Sequence, residues 1–230
     1  MRVSVGTPSA VVIINVHGIG PTERVLDPGE DLTWVGIGQF ERMLDLAEGR
    51  GDVRFTFDDG NSSDVTIALP RLLERGMTAE FFVLAGQLRR PGRIDADGVR
   101  ELLKAGMTVG SHGWDHRDWR RIDDRQADEE FAEAHRVIGE LTGQAVDTVA
   151  IPFGSYDRHV LRHLRRAQVR RVYTSDGGPA QPGAWLQPRN SLHHDVDEAW
   201  MRRVLDNRAG AALRARRIAA RTVKRMRGKP

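Results

Sequence analysis

The 230-residue chain contains no cysteine. That excludes disulfides and thiolate metal sites, so any bound metal has to be held by imidazole and carboxylate groups. No stretch approaches the ~18 apolar residues of a membrane-spanning helix. A secretory leader is a poor match to residues 1–8, where one positive charge is followed by glycine and proline. The short apolar run at 11–14 passes into Asn15 and His17 as a first buried strand would. The expectation is a cytoplasmic protein, or one at the inner face of the membrane. Acid is missing from the end of the chain: nine basic residues and no Asp or Glu lie between 208 and 229, and taking them from a net charge of +3 leaves the remainder at −6. Aromatic residues are missing there too, so nucleic acid, which is gripped by stacking between basic residues, is not an expected partner. Apolar residues recur at helical spacing from 211 to 226. That suits a solvated terminal helix, or one making peripheral contact with an anionic membrane.

What is present is a regular alternation. Strands are predicted at 11–16, 53–57, 80–84, 107–109, 148–151 and 171–174, and helices at 64–75, 95–105, 124–141, 157–167 and 197–207. Gly76, Gly106 and Gly143 stop three of the helices, and Pro70 is expected to split or kink the first. Alternation of this kind makes an α/β protein with a parallel sheet, open or closed. At 40% hydrophobic and 29% charged residues the composition is that of an ordinary globular chain, read as one domain over 1–207 with a basic tail or helix over 208–230.

The chemistry concentrates in two segments. Phe55-Thr56-Phe57 runs into Asp58-Asp59-Gly60, and about fifty residues later comes Ser111-His112-Gly113-Trp114-Asp115-His116. Two adjacent carboxylates at a buried strand end are costly unless paired or metal-bound. Alone, the acids read as a turn or cap feature and the histidines as a surface pair. Together, two imidazoles and one carboxylate make an open metal set with a vacant position for water, and leave the other acid for proton transfer. Asp58, Asp59, His112, Pro152-Phe153-Gly154 and Asp176 all fall at or just after predicted strand C-termini, where barrels and open α/β sheets alike place ligands.

The order Thr-Phe-Asp-Asp-Gly, Ser-His-x-x-x-His and Pro-Phe-Gly resembles that of the NodB-type polysaccharide deacetylases, over roughly residues 50–195. The resemblance implies a distorted (β/α) barrel with fewer than eight regular strands, and an enzyme removing N-acetyl groups from an amino-sugar glycan. It makes Asp58 the base and Asp59, His112 and His116 the ligands of a divalent metal, with zinc first and cobalt or another divalent ion as alternatives. Pro152, Phe153, Gly154, Tyr156, Asp176 and Arg189 are candidate substrate-binding residues. The family's Leu-x-His acid maps to His194 in Leu192-His193-His194, with a surface histidine pair as the other reading; His17, after the first strand, is the rival acid or a structural histidine. The chain departs from the family at Ala150, where an Arg that supports the base is usual; Arg189 is the candidate substitute, with Asp176 completing the pair. Trp114, Trp119, Tyr156 and Trp185 either line a glycan groove or pack in the core. The competing readings are a non-catalytic glycan-binding protein on the same scaffold, and an amidase for another C–N bond.

Overall fold

A computed structural model describes residues 10–208 and 210–228. Residues 1–8, read above as a poor leader, lie outside that range. The strands are β1 (Val12–Val16), β2 (Val53–Phe57), β3 (Ala79–Val83), β4 (Thr108–Ser111), β5 (Thr148–Ala150), β6 (Arg171–Thr174), β7 (Leu186–Pro188) and β8 (Asn190–Ser191). All neighbouring pairs are parallel, in the order β7-β6-β5-β4-β3-β2-β1-β8. A single residue, Arg189, separates β7 from β8. Its N–H donates to the Thr174 carbonyl at 2.8 Å, whereas the N–H of Leu192 donates to the Asn15 carbonyl at 2.8 Å. One stretch of chain therefore pairs first with β6 and then with β1, and this change of partner closes the sheet. The result is the expected distorted barrel, with the last stave broken into two short strands.

Around the barrel run α1 (Ile37–Ala47), α2 (Leu69–Glu74), α3 (Ala96–Lys104), α4 (Asp124–Ala127), α5 (Ala134–Thr142), α6 (Arg158–Arg166), α7 (Glu198–Leu205) and α8 (Ala211–Met226). Four helices start at an aspartate whose side chain accepts from backbone N–H groups of the first turn: Asp95 before α3, Asp123 before α4, Asp157 before α6 and Asp197 before α7. Such caps satisfy donors that a helix start leaves unpaired. The predicted helix at 64–75 is divided, as Pro70 suggested. Asp64–Ala68 is a π-helical turn and Pro70 falls in the first turn of α2, where its missing N–H costs no helical bond. The predicted helix at 124–141 is interrupted by a π-helical segment at Asp128–Glu133. Two elements escaped the sequence reading, α1 and the β7–β8 stave.

Strands buried on both faces divide the apolar residues into layers. Val12, Ile14, Val16, Phe55, Phe57, Phe81 and Val83 pack outward against Phe40, Leu44, Leu72, Val99 and Ile138 of the helices. A second cluster around Val149, Val172 and Trp119 seats α6 through Val160 and Leu164. The lumen holds a small plug of Ile13, Phe82, Ala150, Tyr173 and Ala180. Polar side chains occupy the lumen above that plug, at the strand C-termini.

Candidate metal centre and active site

Strand β2 delivers both acids. The Asp58 N–H continues the parallel pairing by donating to the Val16 carbonyl at 3.0 Å. Asp59 then takes a positive φ of 76°, a left-handed conformation that non-glycine residues adopt at a cost. This turn brings its carboxylate out of the strand pattern and towards the histidines. His112 follows β4 directly and His116, also at positive φ (56°), lies further along the same loop. Asp59 Oδ1 lies 3.5 Å from His112 Nε2 and 3.6 Å from His116 Nε2. Ligand atoms on a tetrahedral ion with bonds of about 2.0–2.1 Å stand about 3.3 Å apart, so the three groups are near the spacing of a shared ion.

Two further observations fit a metal. Asp59 Oδ1 is buried and has no hydrogen-bond partner, an expensive state for a carboxylate oxygen unless something binds it. His112 is fixed from behind, its Nδ1 2.9 Å from the Ala150 carbonyl oxygen, which leaves Nε2 free to ligate. Burial pushes the His112 imidazole down to about 4 despite the nearby Asp58, so it is neutral, as a ligand must be. These residues, Asp59, His112 and His116, could hold a divalent ion.

Asp58 has a different setting. Burial alone would raise its carboxyl, but the Arg189 guanidinium, helped by His112 and His17, holds it well below the usual carboxylate range. The pair is bidentate: Arg189 Nη1 donates to Oδ1 at 2.6 Å and Nη2 to Oδ2 at 2.7 Å, with both side chains buried. Asn15 Nδ2 adds a bond to Asp58 Oδ2 at 3.0 Å. The same Arg189 Nη1 reaches Asn15 Oδ1 at 2.8 Å, and Thr56 Oγ1 donates to that oxygen at 2.8 Å. The guanidinium also faces the Phe82 and Tyr173 rings, 5.5 and 5.8 Å away. Arg189 thus stands where Ala150 leaves the base without a cation, arriving from the closing stave.

A cavity of about 500 Å³ opens onto these groups, lined by His17, Asp58, Asp59, His112, His116 and Phe153, with Arg93, Ser175 and Ser191. Of the Pro152-Phe153-Gly154 turn only the Phe153 side chain is exposed; it packs on His116 in a tilted arrangement, ring centroids 4.2 Å apart. Gly154 sits at φ 57° with its Cα against Ser175, where a Cβ would come within 2.9 Å of the Ser175 Cβ. His17 lines the cavity with Nε2 3.9 Å from Asp58 Oδ2.

Several candidates from the sequence are placed elsewhere. His194 is exposed and lies outside the cavity lining. Tyr156 is buried behind the turn and donates to Asp176 Oδ2 at 2.7 Å. Asp176 also accepts from Thr174 and, on Oδ1, from Lys224 Nζ at 2.7 Å. It therefore anchors the C-terminal helix and does not complete the Asp58–Arg189 pair. None of the four aromatics proposed for a glycan groove lines the cavity: Trp119 and Tyr156 are core, Trp185 lies under Arg165, and Trp114 packs over Gly86.

Two supporting residues went unread in the sequence. Asn15 had a signal, an amide inside the apolar run Ile13-Ile14-Asn15-Val16. Glu130 had none. It is wholly buried on the π-helical segment and accepts from the Trp114 and Asp115 N–H groups at 2.8 and 3.1 Å and from Trp119 Nε1 at 3.0 Å, bracing the loop between the two histidines.

The parallel barrel thus carries an arginine-clamped, ionised acid beside an Asp-His-His set that could hold a metal ion. The family profile described as polysaccharide deacetylase matches residues 46–172, and the chain belongs to that family. The peptidoglycan-N-acetylglucosamine deacetylase PgdA of Listeria monocytogenes is 30% identical over 114 residues, 49% of this chain and 23% of that protein. The chain therefore spans about a quarter of that relative's length. A chitooligosaccharide deacetylase of Azorhizobium caulinodans is 24% identical over 167 residues, 71% of this chain and 74% of the relative. The fold matches a putative polysaccharide deacetylase of Bacillus anthracis at a TM-score of 0.74, with 19% identity over 86% of this chain and 69% of that one. It matches the Streptococcus pyogenes deacetylase PplD, solved with acetate, at 0.72, with 19% identity over 89% of this chain and all of that one.

Proposed function

We propose that the chain is a metal-dependent N-deacetylase acting on an amino-sugar-containing glycan, with zinc the first candidate metal and cobalt or another divalent ion as alternatives. The observation that carries this reading is the division of labour between neighbouring acids. Asp59 presents an unpartnered oxygen to two imidazoles, and Asp58 is held ionised by Arg189 within the same cavity. A divalent ion held by Asp59, His112 and His116 would supply water activation and polarisation of the acetyl carbonyl. Asp58 is placed to take the proton of the attacking water, its Oδ2 3.8 Å from His112 Nε2. Arg189 and Asn15 occupy both of its oxygens and fix its orientation. The departing amine needs a proton, and His17 is the group to give it: it lines the cavity beside Asp58, and its Nδ1 is buried without a partner. Phe153 offers a sugar ring an apolar face at the cavity wall. The non-catalytic reading draws on Ala150 and on the irregular motif at Leu192-His193-His194; Arg189 clamping Asp58 answers the first of these, and His17 is the acid that would answer the second.

The test is acetate release from N-acetylated chito-oligosaccharides and peptidoglycan fragments, paired with elemental analysis. Asp58→Asn is expected to keep about one metal per chain and lose turnover by 10²–10⁴-fold, the usual size of a general-base effect. Asp59→Ala and His116→Ala are expected to lose the metal itself. A wild-type protein that binds no divalent ion after incubation with zinc or cobalt overturns the reading.

A further inference from the structure

Helix α8 is docked the wrong way round for a surface helix. Such helices usually bury an apolar stripe and leave charge to solvent. Here the residues turned towards the barrel are basic: Arg217, Arg221 and Lys224 are its half-buried members, and no residue of the helix is fully buried. Lys224 Nζ donates to the Gly154 carbonyl at 2.8 Å and to Asp176 Oδ1 at 2.7 Å. Arg221 donates to the Gly177 carbonyl, and Arg217 lies across Gly177, where a Cβ would meet its Nε at 3.1 Å. The Arg158 N–H closes the contact on the Arg227 carbonyl at 3.1 Å.

The opposite side is apolar. Stepping about 100° per residue from the docked line, the outward half of the helix carries Ile218, Met226 and Val223 with four alanines and Thr222 between them. Ile218 is 63% exposed, Val223 53% and Met226 74%. Arginines edge this face on both sides, Arg214 and Arg225 on one and Arg216 on the other. The order across the exposed surface is therefore arginine, apolar, arginine.

We propose that α8 is a membrane-surface helix that seats the protein on anionic lipid. The apolar stripe would enter the headgroup boundary while the flanking arginines reach lipid phosphates on either side, the arrangement in which long basic side chains keep their charge wet and their stems buried. A second copy of the chain is a poor occupant. Residues 208–229 contain no acid, so two such faces would set arginine rims against each other. The stripe is mostly alanine and its apolar area is modest, so anionic lipid is required for attachment, and attachment falls with salt. The docking contacts lie on Gly154, Asp176 and Gly177, beyond the C-termini of β5 and β6, and Phe153 beside them lines the site cavity. Seating α8 on lipid thus brings the barrel end that carries the site close to the headgroup layer.

The test uses the full chain in vesicle co-sedimentation. Vesicles containing about 30% phosphatidylglycerol are expected to retain at least about tenfold more protein than neutral phosphatidylcholine vesicles. That retention is expected to fall about tenfold in the Ile218→Asp, Met226→Asp double variant, with an unchanged melting temperature and metal content. Arg216→Glu, Arg225→Glu, which leaves the apolar stripe intact, should weaken binding as well and remove most of its salt dependence. Equal retention on neutral vesicles, no retention on either, or full retention by the Asp double variant would each overturn the proposal. So would a lipid-free dimer that the Asp double variant converts to monomer, because the stripe would then be an interface between copies.

Discussion

The two ends of the barrel are built from the same strands and have opposite polar chemistry. At the N-terminal end a cavity of about 380 Å³ is lined by Arg54, Glu80, Thr108, Arg171 and Tyr173. There the groups satisfy one another: Tyr173 donates to Glu80 at 2.6 Å, and Arg171 to the Tyr173 oxygen at 3.2 Å. Burial and Glu80 push the Tyr173 hydroxyl up, so it stays neutral. The C-terminal cavity is of comparable size, yet Asp59 Oδ1 and His17 Nδ1 are buried there without partners. Among the described residues, no side chain lining the N-terminal cavity carries such an unpaired buried atom. Cavity size therefore does not separate a working end from a structural one. Unspent hydrogen-bonding capacity does, because a fold tolerates it where a ligand completes it.

Four experiments test how far this contrast runs. Arg189→Ala should have the largest effect. Removing one partner of a buried ion pair costs about 3–5 kcal/mol. Asp58 would then titrate upwards through burial, so chemical denaturation should show the smallest loss at acid pH, and the acid limb of any activity profile should move up. An unchanged melting temperature would mean that the pair does not hold the stave closed.

Next in size is the pH dependence of the metal-free protein. His112 and His135 are each pushed down to about 4 by burial, from an ordinary value of 6.5. Between those values the unfolded chain binds more protons than the folded one. Stability should therefore be full above about pH 6.5 and fall as pH drops to 4, by on the order of 3 kcal/mol per histidine. Protons compete with a metal for imidazole and carboxylate ligands, so the extra stability of the holo protein should shrink as the pH is lowered and the holo and apo melting curves should converge. Parallel curves would place the metal elsewhere.

Glu130→Gln is expected to cost about 2 kcal/mol, since three donors lose a charged acceptor. It should also weaken zinc affinity measured by chelator competition, because the loop between His112 and His116 loses its brace. Loss of stability with intact affinity would make Glu130 a packing residue only. Smallest should be Tyr173→Phe at the other end, about 1 kcal/mol for the loss of the hydroxyl's bonds to Glu80 and from Arg171, with turnover unchanged. A drop in turnover there would break the contrast between the ends.

Much of the molecule is legible in the sequence where the signal is local. Six predicted strands fall within a residue or two of β1 to β6, and the helix starts predicted at 95, 124, 157 and 197 fall within a residue of α3, α4, α6 and α7, each of which a capping aspartate begins. Helix α1 escaped although its buried Phe40, Met43, Leu44 and Ala47 keep helical spacing, because its start at Gly36 lacks a capping side chain. The β7–β8 stave escaped for a better reason. Leu186-Gln187-Pro188-Arg189-Asn190-Ser191 has neither an apolar run nor alternation, and it is a strand only because β6 and β1 offer it unpaired edges.

The sequence by itself determined the chemistry that contiguous motifs encode: two acids at a strand end, two histidines four residues apart, a tail without acid. Only the tertiary structure decided which groups meet. Asp58 and Arg189 are separated by 131 residues and come together because the sheet closes. Asp176 resembled a site residue and is taken by Lys224, 48 residues on. His17 reaches the cavity and His194 does not, because the chain turns outward after Leu192. Such pairings depend on strand order and closure, which no local pattern specifies, whereas caps, strand faces and ligand spacing are set within a few residues of the groups concerned.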